Sequence, residues 1–382
     1  MHHARFGLMT LLLLVATLRF GHGGAWMWLP LALSGGLVVL LDLVGPQETS
    51  TFEAPRPWVL NTWLYLTLPS LLLMNGTLWW MVGSGDALHL AAFVQRLTGF
   101  DLLAARSATT PLQWVAAWLG CGLITASAGT NVGHELTHRT RSPFDLVWGR
   151  WMLAFTFDTT FSIEHVHGHH ARVATFEDPA TARRGESVYA FILRSTFQQL
   201  ASAWTLEARR LARKGHPLWS RHNRWLRGQL MTLALMGAAG GLGGGRAVAF
   251  FVASGLLGKA VLETVNFVEH YGLVRVPGAK VEPRHSWNSN AWMSSTVLYN
   301  LTRHSDHHAE GSKPFWRLRP LPEAPTLPTG YMGMILLTLL PPLFRHVMGP
   351  KLQAWDATHA SEAERALARQ AEERAGGHPA TA

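Results

Sequence analysis

The stretch Leu112–His138, LQWVAAWLGCGLITASAGTNVGHELTH, decides how the rest of the chain is read. From Leu112 to Val132 it carries no charged residue, the length and composition of a helix that crosses a bilayer. It then runs directly into HELTH, whose histidines His134 and His138 lie four apart and so share one face of a helix. A span ending in paired imidazoles places a possible metal site at a membrane boundary.

The wider composition agrees with a membrane protein. Hydrophobic residues make up 48% of the 382 positions and charged residues 15%, against about 25% charged in soluble domains. Mean hydropathy is only +0.09, so the apolar character is concentrated in segments. That excludes the two or three soluble domains the length would otherwise suggest. The only cysteine, Cys121, excludes an internal disulfide, a four-thiolate metal site and an iron–sulfur cluster carried by this chain alone.

Further spans are expected over Phe6–Phe20, Ala25–Val44, Val59–Val82, Gln229–Gly245 and Ala247–His270, giving six with the quoted one. Phe6–Phe20 has the basic start of a secretion signal, but it lacks a small-residue cleavage site and another span follows at once. The Gly-rich Gly237–Gly245 does not fit a phosphate loop and predicts a tight turn between the last two spans. Within Ala247–His270, Lys259 and Glu263 stand one turn apart and are expected to pair. Phe144–Ile163 and Tyr331–His346 are apolar but placed so as to lie in or along the interface rather than cross it. Ser361–Ala375 predicts a solvent-exposed helix with a Ser361/Glu364 capping box, ended by Gly376. The fold class is therefore all-α: a membrane bundle of about six helices over residues 1–350, with a cytoplasmic tail over 351–382.

Charge sets the orientation. Arg139, Arg141 and Arg150 follow the fourth span, and Arg209–Arg227 holds seven Arg/Lys with no acid. By the positive-inside tendency, both termini and these polar regions face the cytoplasm.

The chain has twenty histidines, and nine of them are grouped. His134 and His138 form HELTH; His165, His169 and His170 belong to HVHGHH; His304, His307 and His308 form HSDHH; His270 closes NFVEH. Helical spacing lets each pair or triplet present its imidazoles in one direction, and all four groups fall at the cytoplasmic ends of membrane segments. His167 is offset by two residues and points elsewhere. Nine imidazoles exceed the four ligands of zinc or the six of an octahedral ion, so two first-row metals such as iron or zinc are the simplest arithmetic. HELTH alone would also suit a zinc peptidase with Glu135 as base, and many histidines would suit a metal transporter. The first leaves the other groups idle; the second would place its ligands along the membrane midplane.

The pattern HxxxH, HxxxHH, HxxHH with the later NFVEHYGL resembles the membrane-bound non-heme di-iron alkane hydroxylases, within the fatty-acid desaturase and hydroxylase superfamily. DPATARRGESVY at Asp178–Tyr189, PRHSWNSN at Pro283–Asn290 and LPTGY at Leu327–Tyr331 extend the match, which covers about Trp58 to Pro350. Thr137 and Arg139 stand where that family's motif has Gly and Lys; neither is a ligand position. EARRLARKGHPLW and the tail look at least as much like the related xylene-type methyl hydroxylases. The resemblance implies two iron ions on His134, His138, His165, His169, His170, His270, His304, His307 and His308, and O2-dependent hydroxylation of a terminal methyl. A fatty-acyl desaturase is the competing activity on the same scaffold, and the substrate stays open between an n-alkane and an alkylarene. The implied location is the bacterial inner membrane.

The chain has neither a dinucleotide fingerprint nor four cysteines, so electrons are expected from a rubredoxin or ferredoxin with its reductase. The Arg-rich stretch suits either that carrier or anionic membrane lipid; no nucleic-acid partner is expected. Asn131, Asn266 and Glu263, one or two turns before His134 and His270, are candidates to orient ligands. Glu263 either neutralises Lys259 alone or also holds His270 or the metal. Trp58, Trp63, Trp79, Trp80, Trp114 and Trp118 are candidates to line a substrate path, or else ordinary packing and belt residues.

Overall fold

The computed structural model describes residues 3–51 and 56–374. Ala375 and Gly376, the expected end of the last helix, lie outside them. Six long helical segments build the bundle. They are α1 (Ala4–His22), α2 (Gly24–Val44), α3 (Pro57–Val82), α4 (Pro111–Thr137) and the two arms of a 47-residue run, Arg224–His270. At about 1.5 Å per residue that run would reach roughly 70 Å, more than twice the apolar thickness of a bilayer. It folds back at Gly244, whose φ of 65° and ψ of −156° suit only glycine. Both arms pass the same level: the Thr232 hydroxyl reaches the Ala154 carbonyl, and Gly255 packs against the Phe155 carbonyl. The expected turn and pair of spans are both present.

The helices are apolar all round, as lipid requires. On α1, Met9, Leu13, Ala16 and Phe20 face inward, whereas Leu11, Leu14 and Leu18 stay exposed at helical spacing, toward lipid. Inside the bundle, Trp79 of α3 stacks on Phe155 and meets Phe251 edge-on. The chain is a helical integral membrane protein, with no named strand among the described residues.

The hairpin is numbered α8 in chain order. The further helices that frame the site are α5 (Pro143–Ala154), α6 (161–172), α7 (Val188–Arg213), α9 (His304–Ala309), α10 (Tyr331–Thr338), α11 (Pro341–Thr358) and α12 (Glu362–Arg374). α5 packs on α4, and α10 on α8 and α2. Asp42, near the end of α2, accepts the backbone N–H groups of Ser294 (2.9 Å) and Met332 (3.2 Å), which fixes the start of α10. Glu207 joins α7 to α8 by accepting from Arg210 and Arg224. Burial alone would raise its carboxyl, but those hydrogen bonds outweigh it and hold the group at about 2.

The tail differs from expectation. Its capping box forms, Ser361 N–H to Glu364 at 2.8 Å and Glu364 N–H to Ser361 at 3.3 Å. The helix is solvent-exposed on its outer face only: Glu364 and Ala368 are buried, because its inner face seats on the body. α11 also runs unbroken through residue 350, where the tail was expected to begin.

Candidate metal centre

Four elements deliver nine imidazoles to one place. α4 carries His134 and ends at Thr137, and His138 follows directly. A π-turn at Thr125–Thr130 precedes them, the kind of one-residue insertion that re-aims everything after it and is frequent at functional sites. α6 carries His165, His169 and His170, and its segment His165–His169 is also π-helical. The C-terminal end of α8 supplies His270, and α9 supplies His304, His307 and His308.

The nine form two nests. One gathers His134, His138, His165, His170 and His307; the other gathers His169, His270, His304 and His308. Within the first, Nε2–Nε2 separations are 3.1 Å (His134–His307), 3.3 Å (His134–His138), 3.1 Å (His165–His170) and 3.2 Å (His170–His307). Within the second they are 3.3 Å (His169–His308), 3.2 Å (His270–His304) and 3.0 Å (His304–His308).

The triplets do not face one way, contrary to the expectation from α-helical spacing. His165 and His170 share a nest because five residues make one turn of a π-helix, and His169 is left facing the other. In α9, His304 and His308 point to one nest and His307 to the other. His167 is exposed and outside both.

These distances fit metal ligation. Two nitrogens at right angles, each about 2.1 Å from an ion, stand about 3.0 Å apart. The donor set is wholly nitrogen, and an imidazole ligates in its neutral form. Burial pushes His307 and His308 well below their ordinary pKa and neighbouring imidazoles push the same way. Burial likewise takes His170 down to about 3, with His169 adding to the effect. Convergent and mostly buried, the nine imidazoles form two groups that could each hold a metal ion.

The polar groups that touch the histidines are not the expected ones. Glu263 is held by Lys259 (2.6 Å), Gln199 (3.0 Å) and Asn266 (3.3 Å), and Lys259 also reaches Asp158 at 2.7 Å. It balances a buried charge and contacts none of the nine histidines. Asn131 and Asn266 line a cavity beside the nests rather than bonding an imidazole, and the Asn131 amide nitrogen has no partner among the described residues. Instead, Asp178 accepts from His169 Nδ1 at 2.8 Å, both side chains being sealed from solvent. Ser286 Oγ faces His270 Nδ1 at 3.5 Å, and Glu269 Oε2 lies 3.2 Å from His304 Nε2. Each lies in a stretch already singled out, DPATA, PRHSW or NFVEH, but only the fold brings it to its imidazole.

The cavity is narrow and almost wholly apolar. Ala126 and Thr130 of α4, Val265 of α8, Leu301, and Met332 and Ile335 of α10 line it, and His134, His165 and His304 stand in its wall. It therefore touches both nests. None of the six candidate tryptophans lines it; Trp79 and Trp80 are buried packing residues and Trp58 is exposed at 67%.

Residues 109–338 match the fatty acid desaturase family model. The chain is 34% identical to alkane 1-monooxygenase 1 of Pseudomonas aeruginosa over 366 residues, covering 87% of this chain and 91% of the relative. The chain belongs to the alkane 1-monooxygenase family. It is 40% identical to the alkane 1-monooxygenase of Ectopseudomonas oleovorans over 255 residues, 65% of this chain and 63% of that one. A xylene/toluene monooxygenase hydroxylase component of Pseudomonas putida is 30% identical over 373 residues, 97% of this chain and 95% of its own. Where alkane monooxygenases of the resemblance have Gly and Lys, Thr137 donates to the His134 carbonyl at 2.8 Å and Arg139 pairs with Glu135 at 2.9 Å. That ion pair occupies the carboxylate a zinc peptidase would need free as its base.

Proposed function

We infer that the protein hydroxylates a terminal methyl group of an apolar substrate to a primary alcohol, using O2, at two iron ions held by the nine histidines. The observation that carries this reading is the apolar cavity with imidazoles of both nests in its wall. Two iron ions, when bound, supply the oxidising power that an unactivated C–H bond demands, since such a bond offers no acidic proton for general-base chemistry. The protein's own residues do the rest. Val265, Leu301, Met332 and Ile335 hold a hydrocarbon end without offering it a hydrogen bond, and exclude water from the reacting carbon. Asp178 keeps the His169 proton on Nδ1, so that Nε2 presents its lone pair to the nest.

The substrate enters from lipid, where each buried CH₂ contributes about 0.8 kcal/mol to partitioning. Electrons come from a rubredoxin or ferredoxin and its reductase, because this chain's single buried cysteine cannot hold an iron–sulfur centre. The nests and the Arg-rich junction of α7 and α8 lie on the cytoplasmic side of a bacterial inner membrane, following the positive-inside tendency. The near-complete coverage of the xylene/toluene relative favours a second reading, a methylarene as substrate.

Feeding octane, hexadecane and xylene to cells that express the chain with a rubredoxin and its reductase separates these readings. A primary or benzylic alcohol carrying label from ¹⁸O2 is the expected product. An unlabelled alkene would point to desaturation, and no oxygenated product from any feed would overturn the assignment.

A further inference from the structure

The C-terminal helix α12 stands outside the bundle, yet its buried contacts converge on one of the two nests. Glu364 accepts from His285 Nε2 at 2.8 Å, both side chains being almost wholly buried. The backbone N–H of Glu282 donates to His285 Nδ1 at 3.0 Å, so the ring proton sits on Nε2 and the bond to Glu364 has one polarity.

His285 begins a three-residue bracket around His270. Ser286 faces the His270 ring, and its carbonyl accepts from the hydroxyl of Ser305, beside His304. Trp287 donates its backbone N–H to the Glu269 carbonyl at 2.8 Å and its indole N–H to the Tyr271 carbonyl at 2.9 Å. These are carbonyls at the end of α8, which have no further helical turn to accept from.

The far end of α12 reaches the same region by a different route. Arg184 binds Asp356 of α11 at 2.7 Å and Glu372 of α12 at 3.1 Å, and donates Nε–H to the Gly272 carbonyl at 2.9 Å. Gly272 has φ +71°, and a Cβ there would meet Leu352 at 2.8 Å, so its backbone has little freedom to shift. A groove of about 500 Å³, lined by Thr175, Thr181, Leu273 and Leu367, lies between α12 and these loops. Polar anchors at both ends therefore hold the helix in place, with Leu367 and Ala368 packed on the body between them.

We propose that α12 is a clamp that sets the position of His270 and His304 through Glu364 and His285, and so controls metal occupancy of the four-histidine nest. Glu364 is a positioning residue: it touches no ligand and acts through the 285–287 bracket. The proposal rests on the di-iron reading above.

The test compares full-length wild-type, E364L, E364Q, R184M and H270A proteins, each purified in lipid nanodiscs and loaded with ⁵⁷Fe. Iron per chain, Mössbauer spectra and thermal unfolding are measured on each. Wild-type should hold two ions. E364L should hold about one, losing the same spectral component as H270A, while E364Q, which can still accept from His285, should hold about two. R184M should lose that component to a smaller extent. A folded E364L with two ions and the wild-type spectrum overturns the proposal. Should E364L fail to fold, R184M with the full wild-type spectrum overturns it equally. Wild-type protein without two ions would sink the di-iron reading instead.

Discussion

Replacing Asp178 by Asn tests whether the geometry around His169 governs metal binding. Asp178 is sealed from solvent and accepts from His169 Nδ1 (2.8 Å), the Thr181 hydroxyl (2.6 Å) and the Ala180 N–H (3.2 Å). The asparagine has nearly the same shape, so the backbone loop should persist. Two things change. The negative charge that strengthens the hydrogen bond and raises ligand basicity is gone, and the amide can turn its NH₂ toward the ring and favour the wrong tautomer. Loss of such a partner costs about 10–100-fold in metal affinity, or roughly 1.4–2.7 kcal/mol. His169 belongs to the four-histidine nest alone, so the loss should fall on one of two sites. Chelator competition on the iron-loaded protein should show one ion released at about 10–100-fold lower chelator and the other unchanged. Identical release curves for D178N and wild-type would refute the reasoning, and an equal shift in both phases would refute the division into nests.

Lys259→Met should destabilise the protein by about 3–5 kcal/mol, because it leaves the buried carboxylates of Asp158 and Glu263 without their shared cation; thermal unfolding in detergent measures this. Glu263→Gln should leave iron content and turnover near wild-type, since Glu263 touches Lys259, Gln199 and Asn266 and no ligand. Glu207, held at about 2 against its ordinary 4.5, stabilises the fold above pH 4.5 and loses that contribution as pH falls toward 2. The melting temperature of E207Q should therefore fall less than that of wild-type over this acid range.

Much of the architecture was legible because lipid imposes simple demands. Long uncharged runs predict spans, and Gly237–Gly245 predicts the turn that Gly244 makes. The grouping of the histidines was legible as well, but not their partition. Periodicity of 3.6 assumes regular α-helix, and the π-turns at Thr125–Thr130 and His165–His169 have no comparable pattern in residue type. The neighbours of the ligands were hidden for a different reason. Glu263 looked placed for His270 by helical arithmetic, yet Gln199 of α7 and Lys259 claim it. Ser286 reaches the ring from a loop instead. The tail shows the same limit: composition marks α12 as polar, but the buried Glu364 and Ala368 and the Arg184–Glu372 pair dock it.

The partition of the triplets has a mechanical consequence. His169 and His170 are consecutive residues facing opposite nests, and so are His307 and His308. Consecutive Cα atoms are fixed about 3.8 Å apart across a trans peptide, so each helix ties the two nests together through a link that cannot stretch. Two such links, from α6 and α9, hold the spacing between the sites far more tightly than ligands drawn from separate helices would. One-directional triplets would have let each nest move with its own helices. The π-turn in α6 is what permits this arrangement, since it places His165 and His170 together while leaving His169 on the other side. Inserting one residue into that turn, for example an alanine after Val166, makes the spacing six, which closes neither an α- nor a π-turn, and should pull His165 out of register with His170. The five-histidine nest should then lose its metal even though every histidine remains in the chain.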